Sequence, residues 1–205
     1  MLKPFLIYIH GGTTFKKRAE YLNYLKNKKI SLEEPKNWSG DYLDEKLKNH
    51  YRLIRIKMPL KENAKYKEWK IVFEKYLELL KQTKTPVVFL GFSLGAIFLV
   101  KYFSESKVDL NLSSIHLVAP PFDDKNSRDE LSGGFKLRKN LKLFSKQFKN
   151  IYFYFSKNDQ LVTKYHCQKY QKNFPQAKFF IFKNKNGHFQ VEKFPELIFN
   201  LFKSL

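Results

Sequence analysis

Cysteine, glycine and arginine are all scarce in this 205-residue chain, and each scarcity narrows what the protein does. The single cysteine, Cys167, cannot close an internal disulfide, and no Cys-x-x-Cys spacing offers a set of zinc ligands. A disulfide-stapled secreted scaffold and a thiolate zinc finger are thereby excluded, and a reducing, cytoplasmic compartment is the expectation. Long apolar runs are missing as well, since nothing approaches the ~20 residues of a membrane-spanning helix. The opening "MLKPFLIYIHGG" has too short an apolar stretch and no small-residue cleavage site for a secretory signal. Neither a leader nor a membrane partner is expected.

Acidic residues are also few, with Asp and Glu totalling 19 against 39 Lys and Arg, for a formal net charge of +20. An excess of this size suggests nucleic acid or an anionic surface as a partner. Arginine, however, is the residue favoured for bidentate phosphate contacts, and it occurs only at Arg18, Arg52, Arg55, Arg128 and Arg138. The lysines are spread from end to end. No specific nucleic-acid partner is expected, and the charge reads as a solvated lysine-rich surface.

What the chain has in quantity is short β-branched and aromatic runs: "FLIYI", "YRLIRIK", "VVFLG", "SIHLV", "IYFYFS" and "KFFIF". These predict six strands, at Phe5 to Ile9, Tyr51 to Lys57, Val87 to Gly91, Ser114 to Val118, Ile151 to Ser156 and Lys178 to Phe182. Helical spacing fills the intervals. Trp69, Val72, Phe73, Tyr76, Leu77 and Leu80 fall on one face of a 3.6-residue helix, and similar patterns cover Phe15 to Lys29, Asp41 to Lys48, Leu94 to Ser104, Leu137 to Phe148, Thr163 to Asn173 and Pro195 to Phe202. Alternating strands and helices mean a parallel sheet covered on both faces. No repeat, low-complexity tract or linker divides the chain, so residues 1–205 read as a single domain, able to bury roughly 70% of its unfolded surface. Two polar segments, Ile30 to Gly40 and Pro120 to Phe135, are long enough to form a ligand mouth or a short cap.

The chemistry concentrates in "FLGFSLGA", where Ser93 is the centre of a Gly-x-Ser-x-Gly pentad. The pentad follows a predicted strand directly and opens a predicted helix, the setting of a nucleophile elbow. Five of the eight glycines (Gly11, Gly12, Gly91, Gly95 and Gly187) fall in three loops that each follow a predicted strand, where a doubly wound sheet displays functional groups.

A serine hydroxyl needs a base, and the base needs an orienting carboxylate. His188, in "NKNGHFQ" between the last strand and the last helix, is the candidate base. The alternatives are poorer: His50 at a helix end, His116 pointing out of a strand, His166 in a helix, and His10 in the loop after the first strand. Asp159 in "FSKNDQLV" is the candidate carboxylate, with Asp123 or Asp124 as runner-up. The chain order Ser, Asp, His is that of one large hydrolase class and not of trypsin-like or subtilisin-like enzymes. Oxyanion stabilisation calls for two N–H donors: the backbone of Leu94 after the serine, and Gly12 or Thr13 from "HGGT".

The ordered motifs "IHGGTTF", "GFSLGA", "FSKNDQLV" and "GHFQ" resemble an α/β-hydrolase. More narrowly, "MP", "LVAPPFDD" running on to "SGGF", and the closing "GHFQ" resemble the small serine hydrolases that include retinoblastoma-binding protein nine and the bacterial YdeN-like proteins. The resemblance runs over nearly the whole chain. It implies an α/β-hydrolase fold with a mostly parallel sheet of six or slightly more strands, helices on both faces and little or no lid. It also implies a triad of Ser93, Asp159 and His188. The polar insertion around Glu33 to Gly40 departs from the family, and Trp38 and Phe122 are candidates for an acyl pocket as well as for core or surface anchors.

The expected function is a serine hydrolase cleaving a small ester, thioester or amide through an acyl-enzyme, with no cofactor, no metal and a small-molecule acyl substrate. Two alternatives keep the fold: a catalytically vestigial module for acidic partners, and an acyltransferase using the same triad. No oligomeric state is specified.

Overall fold

The computed structural model describes residues 2–33, 36–125 and 131–205. Within these limits six parallel strands form one sheet, β1 (Phe5–Ile9), β2 (Arg52–Ile56), β3 (Val87–Phe92), β4 (Leu112–Val118), β5 (Asn150–Ser156) and β6 (Lys178–Phe182), in the order β2-β1-β3-β4-β5-β6. The predicted strands differ from these by two residues or fewer at each end. β1 is buried along its whole length and β3 at all but its last residue, as continuous apolar runs in a doubly covered sheet should be. At the sheet edges β2 and β6 are only partly covered.

Among the described residues seven α-helices connect and flank the strands: α1 (Arg18–Asn27), α2 (Leu43–Leu47), α3 (Tyr66–Lys81), α4 (Leu94–Glu105), α5 (Lys142–Gln147), α6 (Lys164–Asn173) and α7 (Pro195–Phe202). The strand order reverses direction after β2, so right-handed crossovers place the helices on opposite faces. α2 accordingly packs with α7, and α4 with α5. On α3, Tyr66, Trp69, Phe73, Leu77 and Leu80 are buried, with Val72 and Tyr76 packed against that stripe. α4 is buried from Leu94 through Phe103 and forms the central pillar behind the sheet.

Two helical expectations shift at their N-terminal ends. The pattern from Leu137 to Phe148 yields helix only at Lys142–Gln147. The residues before it are held by tertiary bonds that compete with helix: Lys101 Nζ donates to the Lys136 carbonyl at 2.8 Å and Arg138 pairs with Glu105 at 2.8 Å, while locally Asn140 Oδ1 accepts the Lys142 N–H at 3.0 Å where the helix begins. The segment before α2 starts earlier than its pattern, as an irregular turn at Trp38–Tyr42 broken by the non-helical Gly40. α1 has no buried residue.

Of the two polar segments, Glu34 and Pro35 in the first and 126–130 in the second, which includes Arg128, lie outside the described residues. The described part of the first is tied down at its end. Arg55 donates to the carbonyls of Ser39 and Gly40, the Trp38 N–H donates to the Val191 carbonyl at 2.9 Å, and the Trp38 ring is boxed by Tyr8, Phe92 and Phe194.

Candidate active site

β1 and β3 are neighbours at the point where the strand order turns, so the loops that leave their C-terminal ends open a crevice between them. Ser93 occupies the turn from β3 into α4. Its backbone stands at φ 52 and ψ −117, a region that non-glycine residues rarely adopt and that costs of order 1–3 kcal/mol. The glycines of the pentad allow this turn to press against its neighbours. A Cβ on Gly95 would lie 2.4 Å from the Ile9 carbonyl oxygen, and one on Gly91 would lie 2.6 Å from the Ala96 Cα. The Ser93 N–H is held by the Val118 carbonyl at 2.8 Å, while among the described residues no hydrogen bond engages its hydroxyl.

Asp159 and His188 meet. Asp159 Oδ2 accepts from His188 Nδ1 at 2.7 Å, and Oδ1 accepts the N–H groups of Leu161 and Val162 at 2.8 and 2.9 Å. The carboxylate is buried, with a side-chain exposure of 0%, while the imidazole keeps 13%. With Nδ1 donating to the carboxylate, Nε2 is the nitrogen left to act as a base. The ring rests on Phe92 with centroids 5.0 Å apart, and His188 and Ser93 line one open cleft of ≈ 470 Å³.

The loop carrying His188 is sharply bent, with left-handed backbone at Asn186, Gly187 and Phe189. An asparagine latch, which the motif reading missed, couples it to the carboxylate loop. Asn158 Nδ2 donates to Asn184 Oδ1 at 2.8 Å, Ser156 Oγ donates to Asn158 Oδ1 at 2.6 Å, and the Lys185 N–H donates to Ser156 Oγ at 2.9 Å. The signal was the repeated asparagine in "SKND" and "KNKNGH".

Of the three backbone donors named from sequence, Thr13 is a correction. Its N–H donates to the Lys61 carbonyl at 2.9 Å and its hydroxyl to the Glu62 carbonyl at 2.9 Å, so that N–H is engaged. Among the described residues the N–H groups of Gly12 and Leu94 remain without acceptors, both beside Ser93. His10 sets the Gly12 loop. Its Nε2 accepts the Met58 N–H at 3.0 Å, so Nδ1 carries the proton and donates to the Gly11 carbonyl at 2.6 Å. Burial lowers the His10 pKa, which favours this neutral form.

None of the other sequence candidates pairs with His188, although Asp123 lines a narrow pocket beside Ser93. Asp124 pairs with Lys136 at 2.6 Å, and Asp123 accepts from the Tyr165 hydroxyl at 2.9 Å. Neither runner-up carboxylate touches His188. Phe122 packs on Tyr170 with centroids 5.1 Å apart and does not line the cleft, whereas Trp38 does, while also serving as a core anchor. His116 does not point outward: it is fully buried, hydrogen-bonded to Tyr154 and stacked on Tyr152. His50 lies against Phe202, and His166 accepts the Phe122 N–H.

A family profile described as serine hydrolase matches residues 33–196 of the chain. The chain belongs to the serine hydrolase family. Solved structures of α/β-hydrolases share the fold of this serine hydrolase. The ydeN gene product of B. subtilis superimposes with a TM-score of 0.73 at 15% identity, over 98% of both chains. The esterase Pf2001 of Pyrococcus furiosus gives 0.63 at 17% identity, over 99% of this chain and 82% of its own. MenH of S. aureus gives 0.63 at 12% identity, over 100% and 94%. No curated protein matches the sequence of this hydrolase. Among its described residues no cluster of His, Cys, Asp or Glu is arranged to hold a metal ion, and no helix is long and apolar enough to cross a membrane.

Proposed function

We propose that this hydrolase cleaves a small ester, thioester or amide through an acyl-enzyme on Ser93, as a single domain in the cytoplasm. The observation that carries the reading is the Asp159–His188 contact at 2.7 Å beside a cleft that Ser93 also lines. In the first half-reaction the Ser93 Oγ–acyl bond forms and the bond to the leaving group breaks. The serine proton passes through His188 Nε2 to the departing oxygen, sulfur or nitrogen. Water then cleaves the acyl-serine, giving its proton to His188 and finally restoring the serine.

Asp159 fixes the imidazole tautomer and stabilises the imidazolium. The N–H groups of Gly12 and Leu94 stabilise the oxyanion, the second reinforced by the positive end of α4. The strained backbone of Ser93 supports the same reading, because a nucleophile elbow lifts the hydroxyl clear of the sheet. The test is p-nitrophenyl acetate turnover by the wild type and by Ser93→Ala. The wild type should be active and the variant should fall to the rate of buffer. Undiminished turnover by the variant would contradict the assignment.

A further inference from the structure

The space around Ser93 is divided unequally. On one side lies the open cleft of ≈ 470 Å³, walled by His188, Trp38, Tyr24 and Gln190. On the other lies a notch of ≈ 40 Å³ between Leu94, Pro121, Leu131 and Val162, with Thr14 and Asp123 also on its wall, which His188 does not line. Gly12, Thr13, Ser93 and Leu161 are common to both and form the ridge between them.

Chemistry assigns the two sides. A carbonyl attacked by Ser93 carries three groups: the oxygen, the leaving group and the acyl chain. The oxygen goes to the Gly12 and Leu94 N–H groups, and the leaving group must face His188, which protonates it. The leaving group therefore occupies the cleft, and the acyl chain is directed to the notch. From this division we infer that the enzyme is selective for short acyl groups on bulky leaving groups, with Leu131 and Val162 setting the acyl limit. This rests on the acyl-enzyme reading above.

At ~10–15 Å³ per water-sized occupant, a notch of this size holds on the order of three heavy atoms, which is acetyl to butyryl. The cleft is of drug-ligand size, within the ~300–1,000 Å³ of small-molecule sites.

The walls of the notch are fixed. The Ser132 N–H donates to Thr14 Oγ1 at 2.9 Å, and the Gly133 carbonyl accepts the Tyr66 N–H at 2.8 Å, which anchors Leu131 from the chain that follows it. Gly133 is in left-handed backbone at φ 65, and a Cβ there would meet the Ala64 carbonyl at 2.3 Å, so this loop has little room to retreat. Opposite, Leu161 and Val162 hang from Asp159 Oδ1. Opening the notch would therefore pull on the carboxylate that holds His188.

The experiment compares kcat/KM for p-nitrophenyl acetate, butyrate and octanoate, then phenyl against 2-naphthyl acetate, with fluorophosphonate labelling of Ser93 in parallel. Octanoate should fall at least about tenfold below acetate, the scale of a steric misfit in a small binding pocket. The naphthyl ester should be cleaved at least as well as the phenyl ester. Leu131→Ala and Val162→Ala, on separate loops, should each raise the octanoate-to-acetate ratio several-fold. The wild-type series decides alone should a variant not fold. Octanoate cleaved as well as acetate by a protein that labels at Ser93 would overturn the inference and leave the hydrolase reading standing. Absence of labelling and of all turnover would remove both.

Discussion

One carboxylate does two jobs in this protein: Asp159 Oδ2 meets His188 Nδ1 at 2.7 Å while Oδ1 holds the Leu161 and Val162 N–H groups at 2.8 and 2.9 Å. The orientation of His188 and the shape of the notch lined by Leu161 and Val162 thus depend on the same buried group. A substitution at this position separates the two jobs.

Asp159→Asn keeps an oxygen for the two loop amides but presents an NH₂ to His188, which forces the other imidazole tautomer. Turnover should fall on the order of 10³- to 10⁴-fold, the scale seen when a triad carboxylate becomes an amide. The melting temperature should change little. Asp159→Ala removes the acceptor of the buried Val162 N–H and the part-buried Leu161 N–H, at about 1–3 kcal/mol for the buried one, so it should lose activity and also melt lower, by about 2–4 °C per kcal/mol for a chain of this length. Kinetics and thermal melts on the pair check both expectations.

On the oxyanion side the expectation is just as specific. Gly12→Ala places a Cβ 2.4 Å from the Lys61 carbonyl oxygen, the acceptor that also holds Thr13. The loop must shift, and kcat should drop about 100- to 1000-fold, as for loss of one oxyanion donor. Thr13→Ala keeps its backbone and loses only a hydroxyl contact to Glu62, so it should cost about 1 kcal/mol of stability and retain most activity. Equal losses from the two variants would show that the donor assignment is wrong.

Asn158→Ala removes the bridge to Asn184 and so uncouples the carboxylate loop from the base loop. A displacement of His188 by about 1 Å is enough for a loss of order 10² in kcat. KM should hardly move, because Asn158 does not line the cleft. An unchanged kcat, measured with p-nitrophenyl acetate, would reduce the latch to a structural tie.

Stability should also depend on acid through His116. Burial without a compensating charge pulls its pKa down to about 3, against an ordinary 6.5, and its partners Tyr154, Ser114 and Ser204 are neutral. A depressed pKa means that the unfolded chain binds the proton more readily, so stability is fully present above pH 6.5. It should then decline as pH falls from 6.5 towards 3, by up to about 1.4 kcal/mol per pH unit. Burial lowers His10 and His166 in the same direction. Urea melts between pH 7 and 4 should show this slope, and His116→Phe should flatten it.

Much of this architecture was legible in the chain because its signals are local. Alternation of β-rich runs with 3.6-residue periodicity gives the parallel sheet, and glycines around Ser93 mark a turn that tolerates no side chain beside it. Asp159 and His188 follow adjacent strands, so sheet topology alone brings their loops together. What stayed hidden depends on long-range partners. Nothing near Thr13 in sequence announces that Lys61 takes its N–H, nor that Lys101 and Glu105 hold residues 136 to 138 out of a helix. The outward expectation for His116 failed because a polar residue in a central strand can be satisfied by other strands and by the chain end.

The central claim is that Ser93 is a nucleophile activated by His188, and the most direct measurement is the second-order rate of fluorophosphonate labelling at the Ser93 peptide, read by mass spectrometry. The wild type should label at Ser93 alone, and His188→Ala should slow that labelling by at least about 100-fold, the low end of what a positioned general base contributes. A rate unchanged by His188→Ala, or label carried on any residue other than Ser93, would contradict the account.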